Sequence, residues 1–119
     1  MRTVLVVDDS AFMRAMMRRI VTSNGYEVVG EAENGRIGVL KYRSLLPDVV
    51  TMDITMAEMD GLEALKQIMG INKNARVIMV SAMGQELIVK EAISSGAKGF
   101  LLKPYEDSQV INALSNMFK

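Results

Sequence analysis

Side chains capable of chemistry follow four of the apolar runs in this sequence. Asp8 and Asp9 come directly after the run "TVLVV", and Asp53 follows "DVVTM". Ser81 follows "RVIMV", and Lys103 follows "GFLL". Neighbouring carboxylates need a cation, and oxygen ligands without histidine favour Mg²⁺, which binds one or two carboxylates together with phosphate oxygens. An aspartate beside such an ion can take up a phosphoryl group as an acyl phosphate, so we predict that Asp53 is phosphorylated and that Lys103 and Ser81 contact the transferred group.

Short apolar runs alternate with helical patterns along the whole chain, which predicts five strand–helix units. The predicted strands cover 3–7, 26–32, 48–52, 76–80 and 99–102, and the helical apolar patterns cover 13–20, 34–46, 62–68, 88–93 and 110–117. Four of the strands are almost continuously apolar, which is typical of parallel strands that are covered on both faces. Right-handed crossovers then give a doubly wound α/β domain, in which ligands lie outside the carboxyl ends of the strands.

The composition excludes several classes of function. The 119 residues fit one domain, half of them are apolar, and 14 basic side chains balance 14 acidic ones, so nothing points to nucleic acid or to a membrane surface. There is no secretory signal and no apolar stretch of the roughly 20 residues that cross a bilayer, and we expect a cytoplasmic protein. The absence of Cys and His excludes disulfides, thiolate metal sites and a Ser-His-Asp mechanism within this chain, and any phosphoryl donor must be external. The 11 Met residues are interpreted mainly as core filler.

Several motifs occur together and in a specific order. They are "VVDDS" (6–10), "PDVVTMDITM" (47–56), "MDG" (59–61), "SAMG" (81–84), "GAKGFLLKP" (96–104) and Tyr105. This set resembles the receiver domains of bacterial two-component signalling, specifically the single-domain chemotaxis response regulators, over essentially all of the chain. The resemblance implies one receiver domain over residues 1–119 and a flavodoxin-like sheet in the order 2-1-3-4-5, an order of which this family is itself a known example.

The resemblance assigns roles around the acidic residues. It implies that Asp53 is the phospho-acceptor and that the side chains of Asp9 and Asp53 bind Mg²⁺. The main-chain carbonyl of Thr55 would complete the protein ligands, and Asp8 would act largely through water. Such a protein is a signalling protein rather than an enzyme, with only Mg²⁺-dependent self-phosphorylation and autodephosphorylation.

A second group of residues corresponds to those that, in this family, change position on phosphorylation and are called switch residues. Ser81 occupies the position of the switch hydroxyl, Tyr105 that of the switch aromatic residue, and Lys103 that of the family's lysine. The peptide bond between Lys103 and Pro104 is expected in the cis form. Phosphorylation adds about −1.5 to −2 charges, which would draw Ser81 and Lys103 inward and shift an existing two-state equilibrium.

The expected output is protein contact through the fourth helix, the fifth strand and the fifth helix. Lys90, Tyr105 and Gln109 are the candidate contact residues, although Lys90 and Gln109 also fit an ordinary solvated face. The resemblance implies three partners for a monomeric protein, namely a chemotaxis sensor histidine kinase, a flagellar motor switch protein and a chemotaxis phosphatase. We interpret Arg14, Arg18 and Arg19 as a solubilising face of the first helix, with kinase docking as the alternative.

One departure from the family pattern and two tuning positions are visible. Ala57 stands where the family commonly has proline after Met56, and we expect a freer loop without loss of activity. Thr55 and Met83 lie two residues beyond Asp53 and Ser81, at positions that tune dephosphorylation in the family.

Three alternative functions are open. A stand-alone receiver can serve a phosphorelay outside chemotaxis, and a phosphorylation-independent binding module would not need the acidic set. A phosphatase of the haloacid dehalogenase type also uses an aspartate nucleophile, but its second aspartate is replaced here by Thr55, and its acceptor follows the first strand rather than the third. A dinucleotide-binding domain is excluded because no G-x-G-x-x-G follows the first strand.

Overall fold

The computed structural model of the protein describes residues 1–119 and contains one parallel sheet of five strands with five helices. The strands are β1 (Thr3–Val7), β2 (Glu27–Ala32), β3 (Val49–Asp53), β4 (Val77–Ser81) and β5 (Gly99–Leu102). The helices are α1 (Ala11–Thr22), α2 (Gly35–Leu45), α3 (Gly61–Ile71), α4 (Glu86–Ser94) and α5 (Asp107–Asn116). The strand order is β2-β1-β3-β4-β5 and every pair is parallel, so the predicted doubly wound fold is confirmed. None of the helices combines the length and the apolar character that crossing a membrane requires.

Polar side chains set where three of the helices begin. Ser10, Asn34 and Asp60 precede α1, α2 and α3, and each side-chain oxygen accepts a hydrogen bond from a main-chain N–H in the first turn. Such caps satisfy donors that have no partner within the helix. Since α1 and α2 follow β1 and β2 after short turns, these caps also fix how the chain leaves the carboxyl edge of the sheet.

The sheet separates two hydrophobic clusters because successive side chains of a strand point to opposite faces. On one face Leu5 and Met52 pack with Leu65 and Ile68 of α3. On the other face side chains of β1 and β4 pack with α1 and α5 through residues such as Ile20 and Leu114. The central strands β1, β3 and β4 are therefore covered on both faces, as predicted, and provide a rigid frame for the residues at their ends.

The edge formed by β5 and α4 is covered less completely than predicted. Phe100 and Leu102 of β5 are 54% and 47% exposed, and Ala92 is the only residue of α4 that is fully buried. Burial of β5 on both faces was therefore a wrong expectation. The physical reason is that β5 is an edge strand, and α4 turns much of its apolar surface toward solvent instead of onto the sheet.

A close approach between α3 and β3 fixes the end of β3. The N–H of Gly61 donates to the carbonyl of Ile54 at 2.7 Å. A Cβ atom at Gly61 would overlap the carbonyl oxygen of Asp53 and would lie 2.9 Å from the Cα of Ile54. Because these are main-chain atoms, they cannot move aside cheaply, and the first residue of α3 holds the backbone of Asp53 in place.

We therefore expect Gly61→Ala to lower the free energy of unfolding by about 3 kcal/mol or more, since the added methyl group forces the backbone at Asp53 to shift. Gly70→Ala is the matched control in the same helix, because no atom lies within 4 Å of its added Cβ. Removing a helical glycine there should stabilise the protein by about 0.5–1 kcal/mol. Urea unfolding at equilibrium measures both values, and equal effects of the two substitutions would contradict the close approach.

Candidate acidic site at the carboxyl edge of the sheet

The strand ends bring the chemically capable side chains together. Asp8 directly follows β1, Asp53 is the last residue of β3, and Lys103 directly follows β5. Carboxylate oxygens of Asp8, Asp9 and Asp53 all lie within 4.8 Å of one another. The Nζ of Lys103 lies 3.2 Å from Oδ1 of Asp53 and 3.4 Å from Oδ2 of Asp8. One ammonium thus stands between two of the three carboxylates.

The three acids differ in exposure and in hydrogen bonding. Asp8 and Asp53 are each only 6% exposed, whereas Asp9 faces solvent. Oδ1 of Asp8 accepts a hydrogen bond from the N–H of Ser10 at 2.9 Å, and its Oδ2 accepts one from Lys103. Asp8 is therefore held firmly, and Asp9 is the carboxylate most accessible from outside.

Burial and repulsion shift the ionisation of this cluster. Burial, followed by repulsion from Asp8, raises the pKa of Asp53 to about 6, and the neighbouring Lys103 ammonium only partly opposes that rise. Burial also disfavours the charge on Lys103, but attraction to Asp53 and Asp8 outweighs it and raises the pKa of the ammonium. The site therefore carries excess negative charge at neutral pH, with Lys103 fully charged.

The donor set fits a hard divalent cation. Three carboxylates provide only oxygen ligands, and one ammonium leaves part of their charge uncompensated. Mg²⁺ prefers such ligands and retains several waters, which the solvent-facing Asp9 allows. The arrangement is consistent with Mg²⁺ binding.

The predicted switch residues lie beside this cluster. Ser81 is buried, and its Oγ donates a hydrogen bond to the main-chain carbonyl of Leu101 at 3.3 Å, so the hydroxyl is engaged with β5. Tyr105 is half-buried and packs against the cluster formed with α1 and α5. Burial, with contributions from Asp8 and Asp53, raises the pKa of its hydroxyl to about 12. The peptide bond between Lys103 and Pro104 is cis.

The predicted partner residues lie farther from the acids. Lys90 is exposed and lines a cavity of about 290 Å³ between α4 and β5, together with Ser81 and Phe100. Gln109 is exposed, and its Oε1 accepts a hydrogen bond from the N–H of Glu106 in a capping box that begins α5. The role of both residues in partner contact stays a prediction.

The interpretation of Arg14 as a solubilising residue was wrong. Its side chain is only 18% exposed, its Nη1 donates to the carbonyl of Asp8 at 2.7 Å, and its Nε pairs with Glu31 at 3.2 Å. Arg18 pairs with the same glutamate at 2.7 Å, while Arg19 remains largely exposed. Arg14 therefore supports the backbone of Asp8, because it lies where α1 faces the end of β2.

Sequence reasoning did not single out Gln85, which links two loops beside the site. Its Oε1 accepts a hydrogen bond from the N–H of Ala82 at 2.6 Å, and its Nε2 donates to Oγ1 of Thr55 at 2.8 Å. A glutamine four residues after Ser81 resembles any polar residue at the start of a helix. No signal in the sequence could have identified this bridge, which depends on how the two loops meet in space.

Comparisons with known proteins agree on one family. A family model described as "Response regulator receiver domain" matches residues 4–115. A chemotaxis protein CheY from Thermotoga maritima is 56% identical over 118 residues, which are 99% of this chain and 98% of that protein. A chemotaxis protein CheY from Bacillus subtilis is 54% identical over 94% of this chain and 93% of its own length. The structure of a CheX–CheY–BeF3–Mg²⁺ complex from Borrelia burgdorferi contains a similar chain, with 42% identity, a TM-score of 0.95 and coverage of 99% of this chain and 90% of that one.

The raised pKa of Asp53 predicts a pH-dependent effect of Asp53→Asn. The folded state holds the proton of Asp53 up to a pH of about 6, and the ordinary pKa is 3.8. The stability that this carboxyl contributes is therefore present below pH 3.8 and is lost as the pH rises through 6. In the absence of divalent ions, we expect Asp53→Asn to raise the free energy of unfolding at neutral pH by about 1–2 kcal/mol, and this gain should disappear near pH 4.

Urea unfolding across this pH range measures the difference between the two proteins. Glu33→Gln serves as the control, because it removes an exposed carboxylate just beyond β2 that makes no ion pair. A gain from Asp53→Asn that stays constant across the whole range would show that the ionisation of Asp53 is not its cause.

Proposed function

This chain belongs to the response regulator receiver domain family, and we propose that it is a chemotaxis response regulator activated by phosphorylation of Asp53. The observation that supports phosphorylation of Asp53 is its position, buried at the end of β3. Its carboxylate lies 3.2 Å from the ammonium of Lys103 and within 4.8 Å of two other carboxylates. The observation that favours chemotaxis is the identity of more than half of the residues with two chemotaxis proteins over nearly their full length.

The proposed reaction is transfer of a phosphoryl group to a carboxylate oxygen of Asp53. That oxygen attacks the phosphorus of a phosphohistidine on a sensor kinase, the P–N bond breaks, and the imidazole leaves with its electron pair. A small donor such as acetyl phosphate can replace the kinase, with its acetate as the leaving group. Asp53 must be ionised to attack, and with a pKa of about 6 it is ionised at neutral pH.

The surrounding residues prepare the site for this charge. Asp9, Asp53 and the main-chain carbonyl of Thr55 would bind Mg²⁺, with Asp8 acting through water, and the ion would offset the charge of the transferred group. Lys103 already contacts Asp53 and can contact a phosphoryl oxygen as a point charge without moving far. The structure of the Borrelia relative is a complex with BeF3 and Mg²⁺, which supports an oxygen-ligated magnesium site in this chain as well.

Activation would proceed through Ser81. Its Oγ donates to the carbonyl of Leu101 in this structure, and it would exchange that bond for one to a phosphoryl oxygen. Such a movement shifts the start of α4 and alters the surface formed by α4, β5 and α5, including Lys90, Tyr105 and Gln109. Phosphorylation then acts by biasing an existing two-state equilibrium.

The signal would pass to partner proteins rather than to a substrate. We propose that residues 1–119 act as one receiver domain in the cytoplasm. Its partners would be a chemotaxis histidine kinase, a flagellar motor switch protein and a chemotaxis phosphatase. The complex of the Borrelia relative with CheX supports recognition by a partner protein. Any reaction without partner proteins would be limited to Mg²⁺-dependent self-phosphorylation and autodephosphorylation.

The phosphorylation site is tested by intact mass after incubation with acetyl phosphate. We expect a single phosphoryl adduct that requires Mg²⁺, forms on the wild type and on Asp107→Asn, and is absent from Asp53→Asn, because only Asp53 combines burial with metal and ammonium neighbours. Phosphate release should be followed in parallel, since fast hydrolysis can hide the adduct. An adduct on Asp53→Asn, or neither adduct nor phosphate release from the wild type, would contradict the proposal.

The metal site is tested by titrating Mg²⁺ and following the amide signals of residues 8–10 and 53–56 by NMR. We expect Asp9→Asn to weaken Mg²⁺ binding by at least about ten-fold, because it removes the solvent-facing ligand. Glu33→Gln removes an exposed carboxylate just beyond β2 and should leave the affinity unchanged. Equal affinities of the wild type and Asp9→Asn would exclude Asp9 as a ligand.

A further inference from the structure

The side chain of Gln85 connects the two loops that flank Asp53. Its amide oxygen accepts from the N–H of Ala82, directly after Ser81, at 2.6 Å. Its amide nitrogen donates to the hydroxyl of Thr55, two residues after Asp53, at 2.8 Å. One planar amide therefore ties the loop after β4 to the loop after β3.

Few other contacts hold the loop after β4. Gln85 is the N-cap residue of α4, yet its side chain does not cap the helix, because both ends of its amide are used in the bridge. Ala82, Met83 and Gly84 are exposed, and Ala92 is the only fully buried residue of α4. Ser81 itself is the last residue of β4, and its carbonyl accepts a hydrogen bond from the N–H of Lys103. The bridge is thus a substantial part of what fixes residues 82–84, which directly follow Ser81.

We propose that Gln85 is a positioning residue that holds the loop after β4 in its resting arrangement and thereby slows phosphorylation of Asp53. This inference rests on the proposed function, since it concerns the movement of Ser81 toward the phosphoryl group. In the resting arrangement the hydroxyl of Ser81 is bound to Leu101. Any displacement of Ala82 relative to Gln85, which is attached to Thr55, would strain the bond between the N–H of Ala82 and the amide oxygen of Gln85.

The size of the effect follows from the strength of one hydrogen bond. A net contribution of about 1 kcal/mol corresponds to about a five-fold change in an equilibrium or a rate. The bridge would therefore favour the resting arrangement by about this factor. Such a factor slows the phosphorylation of Asp53 without preventing it.

Three variants separate this role from a general loss of structure. Gln85→Met keeps the length of the side chain and removes both hydrogen bonds. Gln85→Glu keeps an acceptor for the N–H of Ala82, and the hydroxyl of Thr55 can donate to it, but the variant adds negative charge beside Asp53. Gln67→Met makes the same chemical change at an exposed position of α3 and is the matched control.

The first measurement is hydrogen exchange of the Ala82 amide by NMR on the unphosphorylated full chain. We expect exchange to be at least about five-fold faster in Gln85→Met and unchanged in Gln85→Glu and Gln67→Met. Unchanged exchange in Gln85→Met would overturn the inference, because the bridge would then not protect this amide in solution.

The second measurement is the rate of adduct formation with acetyl phosphate and Mg²⁺. We expect Gln85→Met to react about five-fold faster than the wild type, Gln67→Met at the wild-type rate, and Gln85→Glu no faster than the wild type. A purely structural role would give Gln85→Met faster amide exchange with an unchanged phosphorylation rate, and that result would overturn the inference while leaving the proposed function intact. No reaction in any protein, including the wild type, would overturn both.

Discussion

The structure depends on the placement of two buried carboxylates beside a single ammonium. Asp8 and Asp53 are almost completely removed from solvent, and Lys103 lies within 3.4 Å of both. Removing charges from water is costly, and one positive charge cannot neutralise two negative ones. The site consequently carries negative charge that is not fully compensated, although the strands and helices around it are well packed. It gains from a cation and from any change that redistributes its charge, which is what a receiver of phosphoryl groups requires.

The frame must resist this repulsion, and several contacts explain how it does so. The three central strands are buried on both faces, so their ends cannot separate without exposing the core. Arg14 holds the carbonyl of Asp8 from α1, and Gly61 allows α3 to press against the carbonyl of Asp53. Both contacts act on the backbone and do not use the carboxylate oxygens. The site therefore combines a fixed backbone with negative charge that Lys103 neutralises only in part.

The sequence contained most of the fold and the composition of the site, for a physical reason. Apolar runs that end in Asp8, Asp53, Ser81 and Lys103 identify both the strands and the residues at their carboxyl ends, because parallel strands present those ends at one edge. The strand order was implied by the resemblance to the receiver family, since periodicity alone does not determine which strands are neighbours.

Other features could not be found in this way because they depend on distances between segments far apart in the chain. The position of Arg14 in the helical pattern is that of an exposed charge, and only the packing of the end of β2 against α1 covers it. The bridge from Gln85 to Thr55 spans 30 positions and leaves no periodic pattern. The apolar spacing in α4 correctly indicated a helix, but it could not show how little of that helix is covered, because spacing shows which side chains share a face and not what covers that face.

The small buried surface of α4 has a consequence for which residues of such a protein can change. A helix that contributes one fully buried alanine and one partly buried valine, Val89, to the core leaves most of its other positions with few packing constraints. Substitutions at those exposed positions should change the stability of the fold little, whereas substitutions at the buried positions of α3 should lower it. The exposed surface of α4 is thus separate from the part of the structure that holds the reactive carboxylate in place. Partner specificity can therefore change while the chemistry of the site stays the same.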